Sequence, residues 1–404
     1  MTHTRTALVI GGGIAGPAAA MALQKAGIQA TVYEAYENTA QGIGAFLTIA
    51  SNGIDALRTI GADGLALSAG FPTPRIMLRS GTGKNLGTVG TGLSLPDGTT
   101  SHTLKRAALY DAIHDEATSR GIVVHHGKRL IDAEQTSDGV RAVFEDGSDA
   151  TGEVLIGADG VRSVVRRLID PNAPAPTYIG LVNLGGYARG VSVDAEPGSY
   201  TMIFGKQAFF GYALAPGGEV WWFANVPRGD EPARGEVEAV TAHEWQRRLA
   251  ELYAEDAGPA VQLVQASDTA DIMQASPTHS VPHLPAWHAG RMIVIGDAAH
   301  APTPTSGQGA SLSIEDGVLL AKCLRDLPDV QRAFARFEAL RRPRAERIIK
   351  QAARINSSKA AGPVARVFRD AMLPVILKMT ANSKQVNEVY RYHIDWDGPV
   401  PAHA

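Results

Sequence analysis

Ala7-Leu8-Val9-Ile10-Gly11-Gly12-Gly13-Ile14-Ala15-Gly16 is the stretch that decides the fold. Four apolar residues in a row read as a buried strand, and the glycines end it. A helical pattern then sets Ile14, Ala18, Met21 and Ala22 on one side until Gly27 stops it. Ala30-Thr31-Val32-Tyr33 reads as a second strand and finishes on Glu34. Strand, glycine turn, helix, strand and terminal acid follow in the order that a dinucleotide-binding βαβ unit requires.

Each glycine has a chemical task there. Gly11 permits the sharp turn out of the strand, Gly13 lets a pyrophosphate reach the backbone, and Gly16 lets helix and strand pack closely. The helix start at Ile14 and Ala15 offers unpaired N–H groups and the positive end of its dipole to phosphates. Glu34, about 20 residues on, is placed to accept hydrogen bonds from a ribose. The fingerprint does not separate FAD from NAD.

The chain has 404 residues and a net charge of -3, enough for two or three domains and without the basic footprint of nucleic-acid binding. Its one cysteine, Cys323, excludes an internal disulfide and any cysteine-rich metal site. The first apolar run is the nucleotide strand itself, so no signal peptide is expected, and no stretch approaches the ~20 apolar residues of a membrane span. A soluble cytoplasmic protein is the expectation.

Beyond Glu34, Gly42-Ile43-Gly44-Ala45-Phe46-Leu47 reads as a glycine-rich loop, followed by a helix through Ile54, Leu57 and Ile60 that Gly61 ends. Short strands and turns are expected from about Pro72 to Thr100, and a helix from Leu104 to Ser119. Lys105 and Arg106 at the head of that helix oppose its dipole unless an anion lies nearby. Ile122-Val123-Val124 starts a strand, and Asp138-Gly139 and Asp146-Gly147 mark hairpins. Val154-Leu155-Ile156 then ends on Gly157-Ala158-Asp159-Gly160.

From about Tyr178 to Val226 strands alternate with turns, and eight aromatics lie between Tyr200 and Phe223. Such a sheet face is plain core or the wall of a pocket for a flat apolar ligand. A helix is expected over Thr241 to Ala254. Arg291-Met292-Ile293-Val294-Ile295 is another buried strand, ending on Gly296-Asp297-Ala298-Ala299-His300; the loop through Pro304 and Gly307-Gln308-Gly309 opens a helix. Pro328 to Ile349 and Val364 to Tyr390 read as helical. In the latter, Ala371 to Leu377 is expected to pack on the body, with a dimer or membrane-surface contact as the alternatives.

Three motifs therefore stand in fixed order: Gly11-x-Gly13-x-x-Gly16 with Glu34, Gly157-Ala158-Asp159-Gly160-x-x-Ser163, and Gly296-Asp297-Ala298-Ala299-His300 with Pro304-x-x-Gly307-Gln308-Gly309. In them the chain resembles the single-component FAD-dependent aromatic hydroxylases, the p-hydroxybenzoate hydroxylase-like family. It is similar to the compact form represented by salicylate hydroxylase and the tetracycline-inactivating monooxygenase. The resemblance implies an α/β chain in which a Rossmann-like FAD domain (1–71, 101–175 and 277–328) is interleaved with an antiparallel-sheet substrate domain (72–100 and 176–276), followed by C-terminal helices (329–404).

It also implies the cofactor contacts. Gly11, Gly13, Ile14, Ala15 and Gly16 would hold the FAD pyrophosphate, Glu34 the adenosine ribose, and Arg106 would touch the cofactor, supplying the anion its position calls for. Asp159 would serve both FAD and the nicotinamide reductant, and Asp297 the ribityl region. Pro304, Gly307, Gln308, Gly309 and Ala310 would line the flavin ring, with Ala35, Gly44 and Leu130 completing the set. Ala35 stands where relatives often carry a basic residue, and Ser311 where an asparagine is frequent.

The implied reaction is hydroxylation by a flavin C4a-hydroperoxide, formed from bound FAD, O₂ and NADPH or NADH as a transient reductant. Catalytic side chains stay unassigned; His300 suits a structural role near the phosphates, and no metal-ligand spacing is visible. Trp221-Trp222-Phe223 lacks the Trp-x-Trp spacing of the related halogenases. A superfamily reductase and a ligand-binding protein without hydroxylation are the alternatives. The candidate substrate is a flat aromatic or polycyclic molecule near Phe46, Tyr212, Trp222 and Thr305, with Arg189 a candidate for a carboxylate. Monomer and homodimer are both compatible with the sequence.

Overall fold

The computed structural model describes residues 4–37, 44–359, 363–380 and 388–400. Gly42 and Ile43 lie outside them. The chain is mixed α/β. β1 (Thr6–Ile10), α1 (Ala15–Lys25) and β2 (Gln29–Tyr33) open it, and α2 spans Ser51–Thr59, α3 Arg106–Ser119 and β3 Val123–His125. β4 (Val154–Gly157), α4 (Val164–Ile169), β5 (Met292–Val294), α5 (Gly309–Asp326), α6 (Val330–Lys359) and α7 (Pro363–Thr380) follow.

The strands β5, β4, β1, β2 and β3 lie side by side in that order, all parallel, with His288–Ala289 antiparallel beside β5. Both faces are covered, as continuous apolar runs such as Val154-Leu155-Ile156 require. Gly27, Gly61 and Gly121 end α1, α2 and α3 as the sequence suggests, with φ of 80, 67 and 78°. Each donates to the carbonyl three residues back, and the next residue reaches five back: Ile28 to Leu23, Ala62 to Leu57 and Ile122 to Ala117. These are Schellman ends, which satisfy carbonyls a helix leaves over.

A second sheet has seven strands, in the order Ser276–Ser280, Thr177–Ala188, Val220–Pro227, Phe209–Leu214, Ser199–Phe204, Arg75–Ser80 and Asn85–Gly90. All neighbours are antiparallel except Ser199–Phe204 beside Arg75–Ser80. The two sheets thus draw on alternating stretches of chain. Ser276–Ser280 crosses the expected boundary at 276 and belongs to this second sheet. A meander of Leu130–Gln135, Val140–Phe144 and Asp149–Gly152 confirms both Asp-Gly hairpins.

Two local expectations need correction. Phe46-Leu47 is not loop: Phe46–Ile49 is a strand paired with His102–Lys105, Phe46 opposite Lys105. Leu104 and Lys105 are therefore strand as well, and the helix starts at Arg106. The apolar period of Leu109, Ile113 and Ala117 marks a helical face but not its first residue, which the cross-strand ladder decides.

Behind the parallel sheet, α5 and α6 are joined by buried charges. Arg341, fully buried, donates to Asp316 Oδ1 at 2.6 Å and to Glu315 Oε2 at 2.7 Å. Arg344 adds two bonds to Glu315, and His300 Nε2 lies 2.6 Å from Asp316 Oδ2. On α7, Leu373 and Leu377 pack on Leu78, Leu86 and Phe204, while Val367, Phe368, Val375 and Ile376 are exposed. The stretch Ala371–Leu377 therefore divides between body and solvent.

Removing one partner of such a buried pair strands the other charge. Arg341→Met should lower unfolding free energy by about 3–5 kcal/mol in urea titrations. Burial pushes the Asp316 carboxyl up, but His300 and Arg341 together outweigh it and hold it at about 2. A depressed acid stabilises above its unfolded pKa of about 4 and loses that contribution as pH falls through the folded value. The stability gap between wild type and Asp316→Asn should therefore shrink from about pH 4 to about pH 2.

Candidate cofactor and substrate site

β5, β4 and β1 are neighbours, so their carboxyl ends bring the three motifs together at one edge. A Cβ on Gly11 would sit 2.4 Å from Ala158 O, and one on Gly296 3.3 Å from Ala15 Cβ, so the turns touch. Gly16 has the closest approach of all, its virtual Cβ 1.9 Å from Gly11 O. Gly11, at φ 107°, also needs glycine for its conformation.

Glu34 is buried, its Oε2 accepting Gly12 N–H at 2.6 Å and Oε1 accepting Tyr36 N–H at 2.9 Å. It braces the turn while standing at the end of β2. Gly44 lies against Arg106, a Cβ there being 3.3 Å from Arg106 Cδ. Burial raises the Asp297 carboxyl, and the nearby Arg106 charge opposes that rise. Lys105 turns elsewhere and pairs with Glu219 at 2.8 Å.

Asp159 is occupied with its own fold. Its carboxylate accepts Ser163 Oγ at 2.5 Å and the Val164 and Val165 N–H groups at 2.7 and 3.1 Å, capping α4. Leu130 opens its strand as a core residue, Ala310 packs partly on the same core, and Ala35 follows Glu34 beyond β2. Pro304 and Thr305 form a short turn that Gly307 closes at φ 59°, and Gln308 stands at the N-terminus of α5. Ser311, the departure from the family pattern, accepts Ala50 N–H at 3.1 Å and joins α5 to α2.

These residues fit FAD. A Cβ on Gly13 would meet nothing within 4 Å, so the turn faces open space where a pyrophosphate needs close approach. Neither α1 nor α5 has a side-chain cap or an acid in its first turn, which leaves both positive ends to a ligand. Asn52 Oδ1 is buried with no hydrogen-bond partner among the described residues, although Asn52 Nδ2 bonds Gln308 Oε1 at 2.9 Å.

The second sheet presents two aromatic faces. Phe46 lies 5.7 Å from Trp221, 6.0 Å from Phe223 and 6.2 Å from Tyr200, between ring centroids. Tyr212 and Trp222, expected beside Phe46, are on the opposite face at 1% and 0% exposure, packed with Trp245, Leu249 and Tyr253. Alternation along a strand puts Trp221 and Phe223 on the face that Trp222 leaves. The sequence holds a sign of this: a Cβ on Gly211 would come within 2.4 Å of Phe223, so glycine is what lets that ring lie over the sheet.

Polar groups around the Phe46 face are engaged. Tyr200 Oη bonds Thr48 and Thr103, each at 2.9 Å, and burial pushes it to about 12. Tyr187 Oη donates to Ala45 O at 2.6 Å. Arg189 does not await a carboxylate, because it pairs with Glu219 at 2.7 Å and with Asp271. Trp221 and Phe223, rather than Tyr212 and Trp222, are the rings beside Phe46.

Gly13→Ala separates fold from ligand. The apo melting temperature should stay within about 2 °C of wild type, because the methyl meets nothing. The FAD dissociation constant, read by fluorescence titration, should rise about tenfold or more.

The family model for the FAD binding domain matches residues 4–352. FAD-dependent urate hydroxylase of Klebsiella pneumoniae is 30% identical over 352 residues, covering 86% of this chain and 88% of that one. Aurachin C monooxygenase/isomerase of Stigmatella aurantiaca is 29% identical over 354 residues, covering 87% and 88%. The crystal structure of Klebsiella pneumoniae HpxO complexed with FAD and uric acid has a TM-score of 0.84 at 26% identity, over 96% of each chain. Tetracycline destructase Tet(51) shares the fold, with a TM-score of 0.68 at 20% identity over 94% of this chain and 98% of that one. Three glycine motifs meeting at one sheet edge and a match over residues 4–352 agree: the chain belongs to the FAD binding domain family, and the relatives named here include FAD-dependent hydroxylases and monooxygenases.

Proposed function

We propose that the protein hydroxylates a flat, largely apolar aromatic or polycyclic molecule, consuming NADPH or NADH and O₂. The balance is substrate, O₂, NAD(P)H and a proton giving hydroxylated product, water and NAD(P)⁺. The observation that carries the reading is the face formed by Phe46, Trp221, Phe223 and Tyr200, beside the strand that leads into Arg106. Relatives named as urate hydroxylase and aurachin monooxygenase support the reaction class.

When bound, FAD would supply the redox and oxygen-activating chemistry. The protein supplies place and shelter. The Gly11–Gly16 turn would take the pyrophosphate, Glu34 the ribose, Asp297 and Arg106 the middle of the cofactor, and Pro304 to Ala310 the ring. The 1–71, 101–175 and 277–328 segments would then be the cofactor's domain. The aromatic face would hold the substrate ring and keep water away.

With Tyr200, Tyr187, Lys105 and Arg189 all partnered, the face has little to offer a carboxylate among the described residues. It favours a neutral ring system over a small benzoate. Reductase activity without O₂ and ligand binding without turnover are the rivals.

Aerobic NADPH and NADH consumption by the FAD-loaded protein, with a panel of neutral phenols and polycyclic aromatics, tests this. The expected result is stimulated oxidation with a product one oxygen heavier. Phe223→Ala should raise KM for that substrate about fivefold or more, the loss of one aromatic contact surface. Turnover that persists without O₂, or reduction with no oxygen in any product, would sink the proposal.

A further inference from the structure

Two successive peptides of the glycine turn, Gly11–Gly12 and Gly12–Gly13, are each held by a side chain distant in sequence. The N–H of the first, on Gly12, donates to Glu34 Oε2 at 2.6 Å. The carbonyl of the second, Gly12 O, is met by His114 Nε2 from α3. A carbonyl can only accept, so His114 donates and its proton sits on Nε2. The imidazole is 8% exposed and stacks on Tyr110 at 4.2 Å between centroids, with the planes 19° apart. The His126 ring lies 5.7 Å away, tilted by 36°.

The geometry matters because a trans peptide is planar and sets its C=O and N–H on opposite sides. With Gly12 O turned to His114, the Gly13 N–H points the other way, away from α3, and a Cβ built on Gly13 meets nothing within 4 Å. Two adjacent glycines have wide freedom in φ and ψ, so nothing in their own sterics fixes that peptide. Flipped, it would present a carbonyl oxygen to the phosphate and take a donor away.

We propose that His114 is a positioning residue for the cofactor: it locks the Gly12–Gly13 peptide so that the Gly13 N–H faces the pyrophosphate. Arg106, Tyr110 and His114 are spaced by four along α3. One helix stripe thus carries the cofactor arginine at its head, the stacking ring and the peptide lock. The inference rests on FAD binding at the glycine turn. It adds a requirement that the glycine fingerprint does not contain.

The test is titration of apo-protein with FAD, followed by flavin fluorescence, and separately with ADP, which carries the adenosine and pyrophosphate without the flavin. His114→Leu removes the donor, and His114→Gln keeps an amide N–H at nearly the same reach. Expected are FAD and ADP dissociation constants raised about five- to tenfold in His114→Leu, and within about twofold of wild type in His114→Gln. Should the leucine variant not fold, His114→Asn, too short to reach, takes its place.

Recovery by Gln is what a purely space-filling role for the ring would not give. Values for His114→Leu within twofold of wild type would overturn the lock. So would a Gln variant as weak as Leu, or FAD weakened with ADP unchanged. A wild type that binds neither FAD nor ADP fails earlier, taking down the cofactor reading and the lock with it.

Discussion

Two adjacent acids on α5 hold the cofactor edge of the molecule together. Glu315 and Asp316 both reach Arg341, but their remaining oxygens go in different directions. Asp316 Oδ2 accepts the Gly296 N–H at 2.8 Å as well as His300, which fixes the turn carrying Asp297. Glu315 Oε1 accepts Asn52 Nδ2 at 2.6 Å, and Asn52 in turn holds Gln308. One guanidinium on a C-terminal helix therefore sets the two halves of the third motif, the Gly296 turn and the loop at Gln308, relative to each other. Desolvating such charges costs roughly as much as their attraction returns, so the network is better understood as fixing an arrangement than as adding net stability. Arranging is what a loop that bends at two left-handed glycines, Gly296 and Gly307, most needs.

His300 belongs to that arrangement. A base for catalysis must reach the proton it removes, and this imidazole is spent on Asp316 deep behind the loop. Its Nδ1 is buried without a partner. A partnered ring behind the Asp297 turn suits the structural role its motif position suggests.

The strand–turn–helix units were legible in the sequence because each is local. Gly11, Gly13 and Gly16 announce a turn, Gly27 and Gly121 announce helix ends, and the structure finds the Schellman bonds there. What was not legible is long-range pairing. Nothing near Arg341 says that it meets Glu315, and nothing near Phe46 says that it lies in a strand against Lys105. The parity of Trp221-Trp222-Phe223 shows that two faces exist but not which one looks toward Phe46. That choice is made by the helix Ala242–Tyr253 on the far side, whose Trp245, Leu249 and Tyr253 claim Trp222 and Tyr212. A tryptophan with a fully satisfied indole, Nε1 to Ser267 Oγ at 2.8 Å, is core.

The division of labour between the sheets explains how one chemistry can serve different molecules. Around the parallel sheet several acids spend their carboxylates on orienting backbone: Glu34 on Gly12, Asp159 on α4, Asp316 on Gly296. Backbone N–H groups do not change with the residue that carries them, so this half tolerates wide sequence drift while keeping its geometry. The Phe46 face is the reverse. Its shape comes from side chains, and from glycines at 185 and 211 that leave room for Ala45 and for the Phe223 ring. Substituting any of these reshapes the surface without disturbing a motif. At 26% identity the Klebsiella pneumoniae structure still superposes with a TM-score of 0.84, so the fold persists through wide change of sequence.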